Sequence, residues 1–361
     1  MKNVSIFVMI LLISIGLSAG CMKADHKESA DVPNSVPLQP AEHFVYQNLM
    51  NEKGWIQTNL KGHPAYLSES LGLWMEFLLS KKDASHFQEQ YQHLAESFLM
   101  KNNLITWKIE DNIPAKSNAL IDDLRIMLCL DQAAALWNHN EYAQTARQIG
   151  AALKKHNMNN GVFTDFYDSG HQAAGKDVTL SYIMPDALAV LKKNGLIDGE
   201  TEQRNLNVLY HAPLKNGFLP KTYNTETGEY KYDSEVNVID QLYAALHLKK
   251  GDEKAAAAAN WVKQEFEANG KLYGRYSAET KKPAVQYESP SVYALAILFL
   301  AEQREDTAVI KALYEKMTGF ETLDPLKTHY GGYMSGNDTH SFDNLLPLLA
   351  ERKLFNENII Q

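Results

Sequence analysis

Cysteine and the common catalytic motifs are scarce or missing in this chain. Its 361 residues contain two cysteines, Cys21 and Cys129, so no more than one disulfide can form within the chain. There is no H-E-x-x-H or C-x-x-C motif, and no two histidines are spaced as metal ligands on one helix. No G-x-S-x-G motif and no phosphate-binding loop occurs. The sequence therefore predicts no metal and no cofactor, and it gives no support to serine-hydrolase or nucleotide chemistry.

Runs of basic residues are also missing. The net charge is −9, and Lys and Arg are not clustered, which argues against a nucleic-acid partner and against a polybasic membrane surface. One long apolar run is present, from Val4 to Leu17, behind Lys2. This run is too short to span a bilayer as a mature helix, but it has the length of the apolar part of a signal peptide.

The apolar run ends in Leu-Ser-Ala-Gly-Cys at residues 17–21, which resembles the lipobox of bacterial lipoproteins. The resemblance implies a signal peptide over residues 1–20 and a lipid on Cys21 that anchors an extracytoplasmic protein to the membrane. Residues 21–40 are polar and contain proline, so they are expected to form a flexible tether. An ordinary secretory cleavage that leaves a free thiol is the alternative. Cys129 lies in an apolar run and is expected to be buried without a redox role.

Residues 41–361 contain one pattern six times: an aromatic, Gly- and Asn-rich stretch, a polar cluster, and an apolar helix. The clusters begin roughly 50 to 65 residues apart, and such a period signals one repeated supersecondary unit. They are Tyr66–Ser70, Ser117–Asp123, Leu180–Asp186, Tyr232–Asn237, Tyr287–Ser291 and Thr339–Asn344. Between the apolar helices lie six segments with the spacing of amphipathic helices.

This alternation fits an inner ring of six apolar helices inside an outer ring of six amphipathic ones. The sequence therefore predicts an all-α (α/α)6 barrel in which the inner helices all begin at one rim. The segments that lead into the rim have the Gly turns and alternating aromatic residues of short β-hairpins. A linear α-solenoid is the competing architecture, but six units favour a closed ring. Function is expected where hairpins and inner-helix starts meet.

The predicted rim is both acidic and aromatic. Aromatic faces stack on sugar rings, and paired carboxylates supply the acid and base for glycosidic cleavage. The acids are Glu69, Asp122, Asp123, Asp233, Glu235 and Glu288, and the aromatic residues are Trp107, Phe166, Tyr182, Tyr223, Tyr232, Tyr276 and Tyr287. Helix capping is the competing explanation for any single acid, because it selects the same residue types.

Two of the clusters resemble the catalytic segments of glycoside hydrolase family 8. The segment LSESLGLWMEFLL is similar to the family's Ser-Glu-Gly start of the first inner helix, which implies that Glu69 is the catalytic acid. The segment EYKYDSEVNVID is similar to the Tyr-Asp-Ala-x-Arg element, which implies that Asp233 is the base. Val236 stands where the family has that Arg.

Two further clusters carry the resemblance into the middle of the chain. NALIDDLRIMLCL is similar to the family's Ala-Thr-Asp-Ala-Asp-Leu segment, in which Asp123 matches the second Asp. Ile121 stands in place of the first Asp, and Asp122 offers a carboxylate one residue later. TLSYIMPD is similar to the family's Pro-Ser-Tyr stretch, which implies that Tyr182 lies near the cleaved sugar.

The resemblance implies inverting, endo-acting hydrolysis of a β-linked polysaccharide, which we interpret as exopolysaccharide processing. Glu69 would protonate the leaving oxygen, and Asp233 would activate a water on the opposite face. The residues expected to bind substrate are Trp107, Tyr182, Tyr232, Tyr287 and Glu288.

Two alternatives stay open. The first is a polysaccharide lyase on the same fold, although a lyase would place Tyr, His or Arg near an anionic sugar. The second is a non-catalytic polysaccharide-binding component of an exopolysaccharide secretion machine, in contact with other proteins of that machine. The second alternative is motivated by Ile121 and Val236, which replace functional residues of the family.

Overall fold

A computed structural model describes residues 39–360, and its main feature is a series of twelve α-helices. The expected signal peptide, Cys21 and nearly all of the tether lie outside the described residues. The helices are α1 Pro40–Phe44, α2 Ser68–Lys81, α3 Ala84–His93, α4 Leu120–Trp137, α5 Asn140–His156, α6 Pro185–Lys193, α7 Gly199–Tyr210, α8 Val238–Leu246, α9 Glu253–Asn269, α10 Pro290–Gln303, α11 Thr307–Thr318 and α12 Phe342–Asn356. Among residues 39–360, no helix has both the length and the hydrophobicity that a bilayer crossing requires.

The even-numbered helices form a closed inner ring. Each packs on the next in the order α2, α4, α6, and then α8, α10, α12, and α12 packs on α2. The ring passes from α4 to α8 partly through the 3-10 turn Leu180–Tyr182, which precedes α6. The odd-numbered helices pack outside, α1 on α12 and each of the others on the inner helix before it. The predicted (α/α)6 barrel is therefore confirmed, and the linear solenoid is wrong.

Short antiparallel strands lie before the inner helices, as the hairpin pattern predicted. They are β1 Ala65–Leu67, β2 Lys108–Glu110, β3 Ile113–Pro114, β4 Met158–Asn159, β5 Val162–Phe163, β6 Tyr167–Asp168, β7 Ala173–Ala174, β8 Asp177–Thr179, β9 Thr222–Asn224, β10 Tyr230–Lys231, β11 Glu235–Asn237 and β12 Arg275–Ser277. Strand β1 pairs with β2, β8 pairs with β9, and β11 pairs with β12. Strand pairing therefore fixes the chain at β1, β8 and β11, just before it enters the inner ring.

Burial on all sides explains why the inner helices are apolar around their whole circumference. In α10, every residue from Pro290 to Ala301 is buried except Leu298. Each buried methylene contributes about 0.8 kcal/mol to the free energy of folding, so an all-apolar inner helix is stabilised by all of its neighbours at once. Cys129 in α4 is buried and free, as predicted.

The outer helix α1 is fixed to the barrel by a close backbone approach. Gly331 has a φ of +83°, and a Cβ atom added there would lie 1.7 Å from the carbonyl oxygen of Pro40. Gly336 has a φ of +62°, but a Cβ atom there would meet nothing within 4 Å. Both glycines therefore have a left-handed backbone, but a side chain would clash with the neighbouring backbone only at Gly331.

We expect Gly331→Ala to lower the free energy of unfolding by about 2 to 4 kcal/mol, because it adds a clash with backbone to the cost of a left-handed Ala. Gly336→Ala is the matched control and should lower it by only about 1 kcal/mol. Urea unfolding of the purified variants measures both values. Equal losses in the two variants would show that the contact between Gly331 and α1 does not hold the barrel together.

Candidate active site

The first turns of the inner helices are joined by hydrogen bonds between side chains. Four such bonds join Ser68 with Asp122, Ser70 with Ser341, Ser181 with Asp240, and Ser291 with Asp343. Each bond joins two different inner segments, so the polar clusters meet at one rim, as the repeat predicted.

The acids in these first turns are not helix N-caps. The residues that cap α2 and α4 are Leu67 and Ala119, which make no side-chain cap. In contrast, the outer helices α3, α7, α9 and α11 are capped by Asp83, Asp198, Asp252 and Asp306. Capping therefore explains the acids of the outer ring, whereas Glu69 and Asp122 require another explanation.

Glu69 is half-buried in the first turn of α2, and it lines a cavity of about 490 Å³. Burial raises the pKa of its carboxyl group to about 8, and the negative charge of Asp122 adds to this rise. The Arg125 guanidinium opposes the rise, and the charge of Asp343 adds a smaller increase. Glu69 is therefore protonated at neutral pH, which is the state that a general acid needs.

Asp122 is buried, and its charge acts on Glu69. Its Oδ2 accepts a hydrogen bond of 2.6 Å from Ser68 Oγ, and its Oδ1 accepts one of 3.0 Å from Arg125 Nη1. Arg125 is also buried, and its guanidinium lies 3.7 Å from Glu76 Oε2 and 3.5 Å from the Tyr243 hydroxyl. Burial raises the pKa of Asp122, and Arg125 opposes that rise. The Asp122 carboxylate thus lies within electrostatic reach of Glu69, and its role in place of an acid at Ile121 stays a prediction.

Asp123 does not belong to this group. It is fully buried, and both of its carboxylate oxygens accept hydrogen bonds from the protein. The backbone N–H of Ile105 donates to Oδ1 over 3.3 Å, and Asn118 Nδ2 donates to Oδ2 over 2.9 Å. Burial also holds the pKa of Asp123 well above its usual range. This geometry favours a structural role for Asp123, in which it fixes the loop segments before α4, and its catalytic role stays a prediction.

Asp233 lines a second cavity, of about 450 Å³. It is half-buried, and its Oδ2 lies 3.3 Å from Lys221 Nζ. The same cavity contains Asp240, in the first turn of α8, whose pKa is raised by burial while Lys221 opposes the rise. Asp233 is therefore a solvent-accessible carboxylate beside a cation, with a second carboxyl group close by.

The two cavities meet at Asn237, the N-cap residue of α8, which lines both. The hydroxyl group of Tyr182 lies near carboxyl groups of both cavities. Burial raises the pKa of its hydroxyl, and the negative charges of Asp165, Asp122, Asp240 and, least of all, Glu69 raise it further. Tyr182 therefore lies within electrostatic reach of Asp240 in one cavity and Glu69 in the other, and its predicted place near a cleaved sugar stays a prediction.

The aromatic residues predicted at the rim differ in their exposure and in their contacts. Tyr287 is 54% exposed and lines the Glu69 cavity. Trp107 is 39% exposed, and its carbonyl oxygen accepts a 3.1 Å hydrogen bond from the backbone N–H of Ser68. Tyr232 lines the Asp233 cavity and donates its hydroxyl hydrogen to the carbonyl oxygen of Pro213. Tyr276 is fully buried, so its predicted place at the rim surface is wrong.

Glu288 lines the Glu69 cavity, but its carboxylate is already engaged. Its Oε2 accepts a hydrogen bond of 2.5 Å from the Tyr293 hydroxyl and lies 3.2 Å from Lys316 Nζ on α11. Glu288 is therefore less available to a substrate than Tyr287, because the charge of Glu288 is neutralised by Lys316 on an outer helix.

Several residues of the site were missed by the sequence reasoning. They are Arg125, Asp165, Asp240 and Asp343, and they belong to or face the first turns of inner helices. Arg125 had a signal in the sequence, since a charged residue inside an otherwise apolar helix is rare unless it is paired. In the part of the chain that the structure describes, no three His, Cys, Asp or Glu side chains are placed to hold a metal ion.

The raised pKa of Glu69 predicts a pH-dependent cost to stability. Its carboxyl group has a pKa of about 8 in the folded protein and an ordinary value of 4.5, so the folded state binds more protons between these values and stability falls as pH rises through that window. We expect Glu69→Gln to raise the free energy of unfolding by about 1 to 3 kcal/mol at about pH 9 and to lose this advantage below about pH 4.5. Chemical unfolding across this pH range measures the difference. Glu253→Gln, on the exposed first turn of α9, is the control and should show no such pH dependence; a flat profile for Glu69→Gln would contradict the burial of its charge.

Comparisons with known proteins identify relatives of the whole chain. No protein-family model matches the chain. A protein of Bacillus subtilis strain 168 named "Putative lipoprotein YdaJ" is 70% identical over 364 residues and is covered completely, as is this chain.

Solved structures share the whole barrel. A structure described as a novel alpha-amylase from Clostridium perfringens superposes with a TM-score of 0.78 at 25% identity, over 87% of this chain and 96% of that one. PssZ from Listeria monocytogenes gives a TM-score of 0.71 at 27% identity, over 88% and 96%. Endoglucanase Cel10 from Klebsiella pneumoniae, a family 8 glycosyl hydrolase, gives 0.62 at 17% identity, over 86% and 98%, which shows the fold alone. The chain therefore belongs to the family of the B. subtilis protein YdaJ, and its (α/α)6 barrel has the fold of a family 8 glycosyl hydrolase.

Proposed function

We propose that the protein is an inverting glycoside hydrolase that cleaves a β-linked polysaccharide, with Glu69 as the acid and Asp233 as the base. The observation that carries the proposal is the state of Glu69. Its carboxyl group is held protonated by burial and by Asp122, and it borders a cavity of about 490 Å³ that has Tyr287 in its wall. A protonated carboxyl group beside an aromatic wall is what glycosidic cleavage needs on the leaving-group side.

In the proposed reaction, Glu69 donates its proton to the glycosidic oxygen as the bond to the sugar breaks. Asp233 takes a proton from a water that attacks the opposite face of the sugar. The two carboxyl groups line neighbouring cavities that share Asn237 as a wall residue, and we place the attacking water on the Asp233 side. Arg125 donates a hydrogen bond to Asp122, whose charge raises the pKa of Glu69, and the Tyr182 hydroxyl lies within electrostatic reach of Asp240 and Glu69.

The glycosidic linkage of the substrate has two candidates, β and α. Endoglucanases with this barrel motivate a β-linked substrate, which matches the motif resemblance at Glu69 and Asp233. The structure described as an alpha-amylase has a higher identity and motivates an α-linked glucan instead. A substrate panel that contains both kinds of linkage decides between them.

Anchoring to the membrane is part of the proposal. The segment LSAGC at residues 17–21 resembles a lipobox, and the B. subtilis relative is named a lipoprotein. A lipid on Cys21 and a tether of about 20 residues would hold the barrel outside the cytoplasm, close to the membrane surface.

We expect Cys21→Ser to move the protein from the membrane fraction to the soluble extracytoplasmic fraction, because the thioether cannot form without the sulfur. Immunoblots of fractionated bacterial cells measure the distribution, with Cys129→Ser as the control that should stay in the membrane fraction. Membrane retention of Cys21→Ser would contradict the lipid anchor.

Cleavage is tested on barley β-glucan, xylan, chitosan, soluble starch and crude exopolysaccharide of the B. subtilis strain, by release of reducing ends. We expect Glu69→Gln and Asp233→Asn to lower kcat on the cleaved polymer by about 10² to 10⁴, because each removes a proton-transfer step. Asp186→Asn is the control, since Asp186 lies exposed in the first turn of the inner helix α6 and should change kcat by less than about twofold.

The same assay separates the alternatives. Ultraviolet absorbance of an unsaturated product identifies a lyase, and NMR of the first-formed anomer distinguishes inversion from retention. Binding of a polymer without cleavage by the wild-type protein would replace the enzyme with the non-catalytic binding component.

A further inference from the structure

Asp343 lies in the first turn of α12 and lines the same cavity as Glu69. It belongs to the sixth cluster, to which the sequence pattern assigned no function. The hydroxyl groups of Ser289 and Ser291 both lie 2.6 Å from its Oδ1. Ser289, the N-cap residue of α10, and Ser291, in its first turn, thus hold one oxygen of the carboxylate in place.

The second oxygen of Asp343, Oδ2, makes no hydrogen bond to any residue from 39 to 360. Asp343 is half-buried, and no lysine or arginine forms an ion pair with it in that part of the chain. Satisfying a partly desolvated carboxylate oxygen requires a donor. The orientation imposed by Ser289 and Ser291 therefore leaves an acceptor in a cavity wall.

Two other polar side chains of this wall are already engaged. Glu288 is bound by Tyr293 and Lys316. His340 accepts a hydrogen bond from the backbone N–H of Phe342 through Nδ1, and burial lowers the pKa of its imidazole. Asp343 thus offers this wall a carboxylate oxygen that can accept a hydrogen bond from a ligand.

Tyr287 gives the cavity an aromatic platform. More than half of its surface is exposed, and its ring lies so close to Gly274 that a Cβ atom there would be 2.2 Å from Tyr287 Cε2. The absence of a side chain at position 274 therefore lets the ring pack against the backbone there. A ring held in this way presents a face on which the C–H groups of a sugar stack.

We propose that the Glu69 cavity is a sugar subsite in which Asp343 accepts a hydrogen bond from a sugar hydroxyl and Tyr287 stacks on the same sugar ring. This assignment rests on the proposed function and deepens it. It selects an uncharged sugar with a free hydroxyl, because an anionic substituent would meet the carboxylate of Asp343. Asp343 thereby acts in substrate recognition, and the proton transfers stay with Glu69 and Asp233.

The test measures binding in the non-cleaving Glu69→Gln background, by affinity electrophoresis of the full-length protein in detergent-containing gels that hold each polymer of the substrate panel. Asp343→Asn keeps an oxygen for Ser289 and Ser291 but replaces the free acceptor with an N–H₂ donor. We expect it to raise the Kd about tenfold to a hundredfold, since a hydrogen bond to a charged group is lost. Asp186→Asn is the matched control, because it removes an equivalent first-turn charge outside the cavity and should leave the Kd unchanged.

Tyr287→Ala provides a second variant that does not depend on Asp343, and it should also raise the Kd by about tenfold. In the Glu69-containing enzyme, Asp343→Asn should raise KM more than it lowers kcat. An unchanged Kd for Asp343→Asn, in a protein whose wild type cleaves the polymer, overturns this inference and leaves the proposed function intact. Absence of both binding and cleavage for the whole panel overturns the proposed function and this inference with it.

Discussion

Desolvation of carboxyl groups that lie close together is the constraint on which the site depends. Asp122 and Asp343 both lie within electrostatic reach of Glu69, and Arg125 pairs with Asp122. Burial is the largest cause of the raised pKa of Glu69, the charge of Asp122 adds to it, and the Arg125 guanidinium opposes it only in part, so the least costly state keeps Glu69 protonated. The property that makes Glu69 suitable as an acid therefore follows first from burial and second from neighbouring charge, and it costs stability at high pH.

Closure of the ring creates this crowding. In a linear arrangement of helix pairs, the first and sixth units would lie at opposite ends, but here α12 packs on α2. Ser70 consequently touches Ser341, and Asp343 comes within electrostatic reach of Glu69. The outer ring contributes differently: its aspartates cap helices, and Lys316 on α11 neutralises Glu288. Within residues 39–360, outer-ring contacts thus engage the capping aspartates and Glu288 and do not engage Glu69 or Asp343.

The barrel does not determine the linkage that is cut. Solved structures with this fold include a structure described as an alpha-amylase and endoglucanases, so the specificity must lie in the walls of the cavities. In this chain those walls come from the hairpins and helix starts around Asn237, which separates the Glu69 side from the Asp233 side. Tyr287 and Tyr232 occupy opposite sides of this division, which gives each cavity its own aromatic contact.

The sequence alone determined the number of helices, their alternation, the common rim and the position of Glu69, because hydrophobic periodicity and the polar clusters are local properties of the chain. It did not separate Asp122 from Asp123, since neighbouring residues on a helix point about 100° apart and only packing shows which one faces the site. It also missed Asp343, which is near Glu69 only in the closed ring. Charge neutralisation, burial and contacts between distant helices were decided by the tertiary structure, because they depend on which side chains share one desolvated space.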